Sequence, residues 1–249
     1  MLRILIYNVA YGTGAPKNML GHLSTIHRYL RTSNCHIEKI SDFILEANPD
    51  IVGLLEVDTG SYRTRFVNQV ELIANRINHQ HHSHVKYRGR FFAHSVPILR
   101  KQANALLTRM EIPEKNFHFL PVGFKKLIIE AEIEGLRFFL VHLSLNSRAR
   151  KIQLAHIAKL AKGYEPIIIA GDFNTFNGEK ELEEIQHELN LLNPNHENKP
   201  TYPSWKPKKQ LDFILCSKSI KIKNFQIPSV KFSDHLPLIL DIAKPRKKI

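Results

Sequence analysis

Residues 166–174 read Pro166-Ile-Ile-Ile-Ala-Gly-Asp-Phe-Asn174, and the rest of the chain is read from this stretch. Its apolar core is too short for a helix and suits a buried strand. The run ends on Asp172 and Asn174, a carboxylate and an amide that are costly to bury unless each finds a partner. The same arrangement recurs along the chain. Asn8 closes the apolar run of ILIYNVAYG, Glu56 that of DIVGLLEVD, and His142 interrupts VHLS. Asp212 stands in LDFIL, and Asp234 and His235 precede the last apolar run in FSDHLPLIL. One acidic or amide residue after a strand is ordinarily a turn or a helix cap. A set of them at strand ends is what a β-scaffold needs to aim side chains into one cleft.

Outward from these motifs, the periodicity predicts the elements that carry them. Leu2–Val9 alternates and reads as a first strand. Ile37, Ile40, Ile44 and Ala47 recur at helical spacing and stop before Pro49. Phe66, Val70, Ile73 and Ile77 predict a second amphipathic helix. Strand-like runs follow at 103–108, 127–133 and 136–143, the last two joined by Glu134-Gly135 as in a hairpin. Ser147 is placed to cap a helix carrying Leu154, Ile157, Ala158 and Ala161, and Asn177 to cap one carrying Leu182, Ile185 and Leu189. Runs at 211–216, 220–227 and 236–242 read as closing strands. Helices fall between groups of strands, with no linker or low-complexity stretch. That pattern implies an α+β chain folded as a four-layer α/β/β/α sandwich, two mainly antiparallel sheets packed face to face with helices outside. It is expected to be a single domain over residues 1–249, with 244–249 a disordered basic tail.

Lys and Arg outnumber Asp and Glu by 36 to 23, for a net charge of +13. Such a field favours polyanionic partners: nucleic acid first, with anionic lipid headgroups or multiply phosphorylated small molecules as alternatives. Two distant cysteines, Cys35 and Cys216, have no metal-type spacing. No run of about 18 apolar residues suggests a membrane span, and the first residues lack the small-residue cleavage site of a signal peptide. A cytoplasmic monomer is the expectation.

Taken together, the polar clusters resemble those of the endonuclease/exonuclease/phosphatase superfamily. GDFN (171–174), the Asp of LDFIL (211–215) and SDHLP (233–237) are the most specific parts, and the match runs in family order from Asn8 to His235. The resemblance implies a Mg²⁺-dependent phosphoesterase, with Mn²⁺ as a substitute, that hydrolyses phosphodiester bonds and is nuclease-like in substrate. It implies a metal held by Glu56, with Asn8 either touching the ion or orienting that ligand, and Asp234 within reach. Asp172 would handle the proton of the attacking water or leaving group, with Asn174 holding the phosphate or that water. His235 would serve as base or phosphate-binding cation, with Asp212 fixing its tautomer, and His142 would donate to a phosphate oxygen. Asn104, in KQANALLTR, matches a further family pattern and reads as a phosphate contact or a strand-end amide. Abasic-site endonucleases carry an Asp two residues after the first Asn, where this chain has Ala10. That departure argues against the abasic-site branch and leaves deoxyribonuclease-like, sphingomyelinase-like and bacterial-type branches. A phospholipid or phosphoinositide hydrolase is the second enzyme reading, and a non-catalytic polyanion-binding protein the rival from another class.

Three stretches stand outside the motifs. TYPSWKPKKQ (201–210) places Tyr202, Trp205 and three lysines beside the site, as a substrate contact or as a Pro-fixed loop with its Trp on the core. NHQHHSH (78–84) fits no zinc pattern and reads as a solvated loop. Gly12–Asn34 carries an apolar stripe that reads as a peripheral helix, with a lid or lipid-touching helix as the alternative.

Overall fold

The computed structural model describes residues 1–15, 32, 34–85, 99–123 and 127–245. The peripheral helix expected between Gly12 and Asn34, and the end of the basic tail, lie outside the described residues.

The alternation in Leu2–Asn8 (β1) is the simplest guide to the architecture. Leu2, Ile4 and Ile6 enter an apolar core shared with the other sheet, while Leu5, Tyr7 and Val9 meet helices on the opposite face. Two side-chain directions per strand therefore require two covered faces. One sheet has the order β11-β12-β1-β2-β4-β3, formed by Ile222–Gln226, Leu238–Ile242, Leu2–Asn8, Ile51–Asp58, Gln102–Thr108 and Gln80–Val85. The other runs β5-β6-β7-β8-β10-β9, from Glu114–Phe119, Leu127–Ile133, Leu136–His142, Ile167–Asp172, Asp212–Ser217 and Leu191–Leu192. Helices α1 (Asn34–Ala47) and α2 (Gln69–Ile77) pack on the first sheet. Helices α3 (Ser147–Ala161) and α4 (Glu183–Glu188) pack on the second. This is the four-layer sandwich read from the sequence.

Each sheet is antiparallel except at its centre, where β1–β2 and β7–β8 run parallel. Parallel neighbours need a crossover, and α1 and α3 lie in those two connections. The two sheets thus share one pairing pattern. The β6–β7 hairpin turns on Glu134 and Gly135, both at positive φ (52° and 78°), as a tight two-residue turn requires.

Several local expectations are corrected. Asn146, not Ser147, caps α3: its backbone is extended and its side chain accepts from Ala149 N at 3.0 Å, leaving Ser147 as the first helical residue. Asn177 caps no helix, because Gly178 with φ 100° leads into a 3₁₀ turn (Glu179–Leu182) that runs on into α4. Phe66 lies outside α2, which begins at Gln69 behind an Asn68 cap. The histidine-rich stretch is strand β3 rather than a loop, because its backbone pairs with β4 from Gln80 to Val85 whatever its side chains.

Gly171 shows why GDFN needs its glycine. Its φ is +145°, and a Cβ there would lie 1.9 Å from the carbonyl oxygen of Val141 on the neighbouring strand. Gly171→Ala is expected to cost at least about 3 kcal/mol, from backbone strain plus a backbone clash. In a chain of this length that lowers the melting temperature by about 6–12 °C. A thermal melt within 2 °C of wild type, well below that ~6 °C, would remove the steric reason for this glycine.

Candidate active site

The strand parity that builds the core also gathers the polar residues. Asn8 continues the Leu2-Ile4-Ile6 series, His142 the Leu136-Phe138-Leu140 series, and Asp172 the Ile168-Ala170 series. Asp212 shares its face with Ile214 and Cys216, and Asn104 shares its face with Leu106. All point between the sheets at the end where the apolar series stop. Strand pairing sets Asp172 opposite both His142 and Asp212. Glu56 would face the helices by simple alternation with Leu54. The β2–β4 register instead shifts between Leu54 and Val57, and Glu56 takes a left-handed φ of 55°. This bulge re-aims its side chain into the cleft, where Glu56 Oε1 lies 3.8 Å from His142 Nε2 on the other sheet.

Asp172 is the hub. Its Oδ2 accepts from Asn8 Nδ2 at 3.1 Å and lies 3.2 Å from His142 Nε2. Its Oδ1 accepts from the backbone of Asn174 at 3.0 Å. Asn174, itself at φ 52°, donates its side-chain amide to Leu143 O at 2.9 Å. Asn8 holds Asp172 while its Oδ1 accepts from Ala10 N, so its amide stands as a brace on a carboxylate.

A second unit stands beside it. His235 Nδ1 donates to Asp212 Oδ2 at 2.8 Å, and the same oxygen accepts from Thr201 Oγ1 at 2.7 Å. Fixing Nδ1 in this way leaves Nε2 as the nitrogen available for chemistry. Burial disfavours charge on His235, but the Asp212 carboxylate, with Asp172 and Asp234 near, outweighs it and raises the imidazole to about 10. Burial pushes the Asp212 carboxyl up, against the pull of His235. We place the proton on the imidazole, because three carboxylates surround it. The other oxygen of Asp212 and both polar atoms of Asn104 are buried without a protein partner, as expected of groups that meet a ligand.

Asp234 is joined to the first strand through Ser233, whose hydroxyl donates to Asn8 O at 2.7 Å and to Asp234 Oδ1 at 3.2 Å. The stretch 201–204 runs beside it: Ser204 N donates to Asp234 O, and Leu236 N to Thr201 O. Thr201, Ser204 and Ser233 are positioning residues that sequence reasoning passed over. The one available signal was their place in the TYPSW (201–205) and SDH (233–235) stretches. The Tyr202 ring lies 4.9 Å from that of His235, tilted 48° to it, with Trp205 and Phe176 edge-on to Tyr202 at 6.5 and 6.4 Å. Trp205 is half-buried rather than a core residue. Lys206, Lys208 and Lys209 are all exposed, and Lys209 donates to Phe176 O and lies over its ring.

The donor set fits a hard cation. Glu56, Asn8, Asp172 and Asp234 offer carboxylate and amide oxygens, and Cys216, a soft donor, is buried in the core. Ligand atoms of Asp172, Asp212 and His235 also lie within 4.8 Å of one another. A protonated imidazole would repel a cation there.

Fold and cleft define a class: a four-layer sandwich with its polar residues gathered at one edge of two face-to-face sheets. The chain belongs to the endonuclease/exonuclease/phosphatase family, whose model matches residues 5–235. Solved structures with the same fold include an endonuclease/exonuclease/phosphatase from Beutenbergia cavernae, with TM-score 0.73 and 16% identity over 97% of this chain and 71% of that one. A mannosyl-6-phosphatase from Bacteroides thetaiotaomicron gives TM-score 0.71 and 15% identity over 98% of this chain and all of that one. The catalytic domain of human Nocturnin gives 0.66 and 20% over 97% and 93%. Against curated proteins the sequence gives no match. Among the described residues, no helix is long and apolar enough to cross a membrane.

Proposed function

We propose that this chain is a Mg²⁺-dependent hydrolase of phosphodiester bonds, nuclease-like in substrate, with Mn²⁺ able to substitute. The observation that carries the reading is the meeting of Asp172, held by the N–H groups of Asn8 and Asn174 and 3.2 Å from His142 Nε2, with a buried Asp212–His235 pair and two sets of orphaned polar atoms. Glu56, with Asn8 and Asp234, would hold the cation, which when bound neutralises phosphate charge and favours ionisation of the attacking water. Asp172 takes the proton of that water, its oxygens fixed by Asn8, His142 and the Asn174 backbone. His235, charged at neutral pH, binds a phosphate oxygen through Nε2, and Asp212 keeps that nitrogen outward. His142 and Asn174 steady the developing charge, and Asn104 contacts the phosphate with its unpartnered amide. Tyr202 and Trp205 flank the leaving or retained group. The net charge of +13 favours nucleic acid as substrate.

A screen of DNA, RNA, phosphoinositides and sphingomyelin, with and without Mg²⁺, tests this. Metal-dependent cleavage of nucleic acid is the expected result. Release of lipid products alone would replace it with the phospholipid reading, and binding without turnover would make the chain a non-catalytic polyanion binder. Trp205→Ala is expected to raise KM for an oligonucleotide about 5- to 10-fold with kcat within about twofold, the pattern of lost uniform binding. Normal kinetics with a lower melting temperature would make the indole structural.

A further inference from the structure

The loop after β2 inverts the ordinary partition of residues. Asp58, Ser61, Arg63 and Thr64 are buried, while Tyr62 and Phe66 are 66% and 74% exposed. Polar groups go inside only when partnered, and here they are. Asp58 accepts from Gly60 N, Ser61 N and Ser61 Oγ, and from Arg63 Nε and Nη2 at 3.1 and 2.8 Å. Thr64 Oγ1 donates within the loop, and a Thr59–Asn68 bridge closes it. The Arg63 guanidinium also lies 4.1 Å over the ring of Tyr11, three residues past Asn8. The loop is therefore rigid and tied to the frame of the site.

On its outer side Tyr62 and Phe66 stand edge-to-face, centroids 6.3 Å apart. Scattered apolar side chains on a surface need no explanation, but two adjacent rings on a braced loop form a surface kept ready for a partner. Arg65, next to Phe66 in the chain, is exposed, and so is Arg100, which precedes Lys101, whose O accepts from Thr59 N at the base of the loop. Tyr62 is six residues from Glu56, a reach of at most about 20 Å. The rings rise from the Glu56 sheet, whereas Phe176, Tyr202 and Trp205 rise from segments attached to the other. We infer that Tyr62 and Phe66 are a stacking platform for an unpaired base of a single-stranded nucleic acid, with Arg65 and Arg100 on its phosphates. Aromatic faces with flanking cations are the chemistry of single-strand binding, and a base inside a duplex has no free face to offer. The inference takes its substrate class from the phosphodiesterase reading above.

The test is binding of a fluorescent oligothymidylate, with Mg²⁺ omitted so that it is not cut, by wild type, Tyr62→Ala, Phe66→Ala and Phe66→Trp. Loss of one stacked base is expected to weaken single-strand binding roughly 5- to 100-fold. Phe66→Trp should retain affinity, duplex binding should not change, and hydrolysis of bis(p-nitrophenyl) phosphate should keep its kcat and KM. Both alanine variants replace exposed rings, so their melting temperatures should match wild type. Unchanged Kd in both alanine variants, equal weakening for duplex, or no single-strand binding by wild type would overturn the platform. So would wild-type binding to phosphatidylcholine–phosphatidylserine vesicles that both alanine changes abolish while oligothymidylate binding persists, since the rings would then serve a lipid surface. The two readings fail separately. Diester hydrolysis with ring-independent binding sinks the platform alone, and ring-dependent binding without diester hydrolysis supports the platform and sinks the reaction.

Discussion

His235→Ala is expected to slow phosphodiester hydrolysis by about 10²–10⁴-fold, the range for removal of a positioned proton-transfer or charge-stabilising group. Asp212→Asn should lose nearly as much while keeping the shape of the site, because an amide at 2.8 Å from Nδ1 no longer dictates which nitrogen carries the proton. Loss of the carboxylate also removes the charge that most favours the imidazolium. The pair acts through one nitrogen, so the double variant should be about as slow as His235→Ala alone. Steady-state rates of the two single variants and the double variant decide this. Losses that multiply would show that the residues act independently. Asp212 would then be a structural carboxylate held by Thr201, and His235 would need another partner.

Glu56→Gln is expected to weaken Mg²⁺ binding at least about tenfold, and to lower activity correspondingly at limiting metal. The amide keeps the volume and one oxygen donor but cannot offset the charge of a cation. Fold should survive, because Glu56 sits in a bulge within β2 rather than in a paired position of the ladder. Two measurements check it: Mg²⁺ dependence of the rate, and the rise in melting temperature on adding Mg²⁺, which reports binding without turnover. Unchanged responses in both would remove Glu56 from the metal site and shift attention to Asp234 and Asp172.

The strands and their ends were legible because period-two alternation is a local property. Leu2, Ile4 and Ile6 announce a buried face, and Asn8 in the same series is a polar residue on that face. The same rule carries His142, Asp172, Asp212 and Asn104, so their convergence was implied once two sheets were paired. Helices with a clear stripe, such as Ile37-Ile40-Ile44, were legible for the same reason. Caps were less so: Asn146 and Ser147 are adjacent residues of similar propensity, and only backbone dihedrals choose between them. Strand β3 was hidden because its histidines mask a backbone that pairs with β4 at a sheet edge. The polar residues, their order and their parity were thus determined by the sequence alone. What only the tertiary structure decided is where parity breaks and who meets whom. The Glu56 bulge arises from register against β4, the Thr201–Asp212 and Ser233–Asn8 bonds join segments 11 and 225 residues apart, and the exposed Tyr62–Phe66 pair depends on a buried Asp58–Arg63 ion pair. Such contacts depend on long-range strand pairing and loop closure, and no local pattern of residue types encodes them.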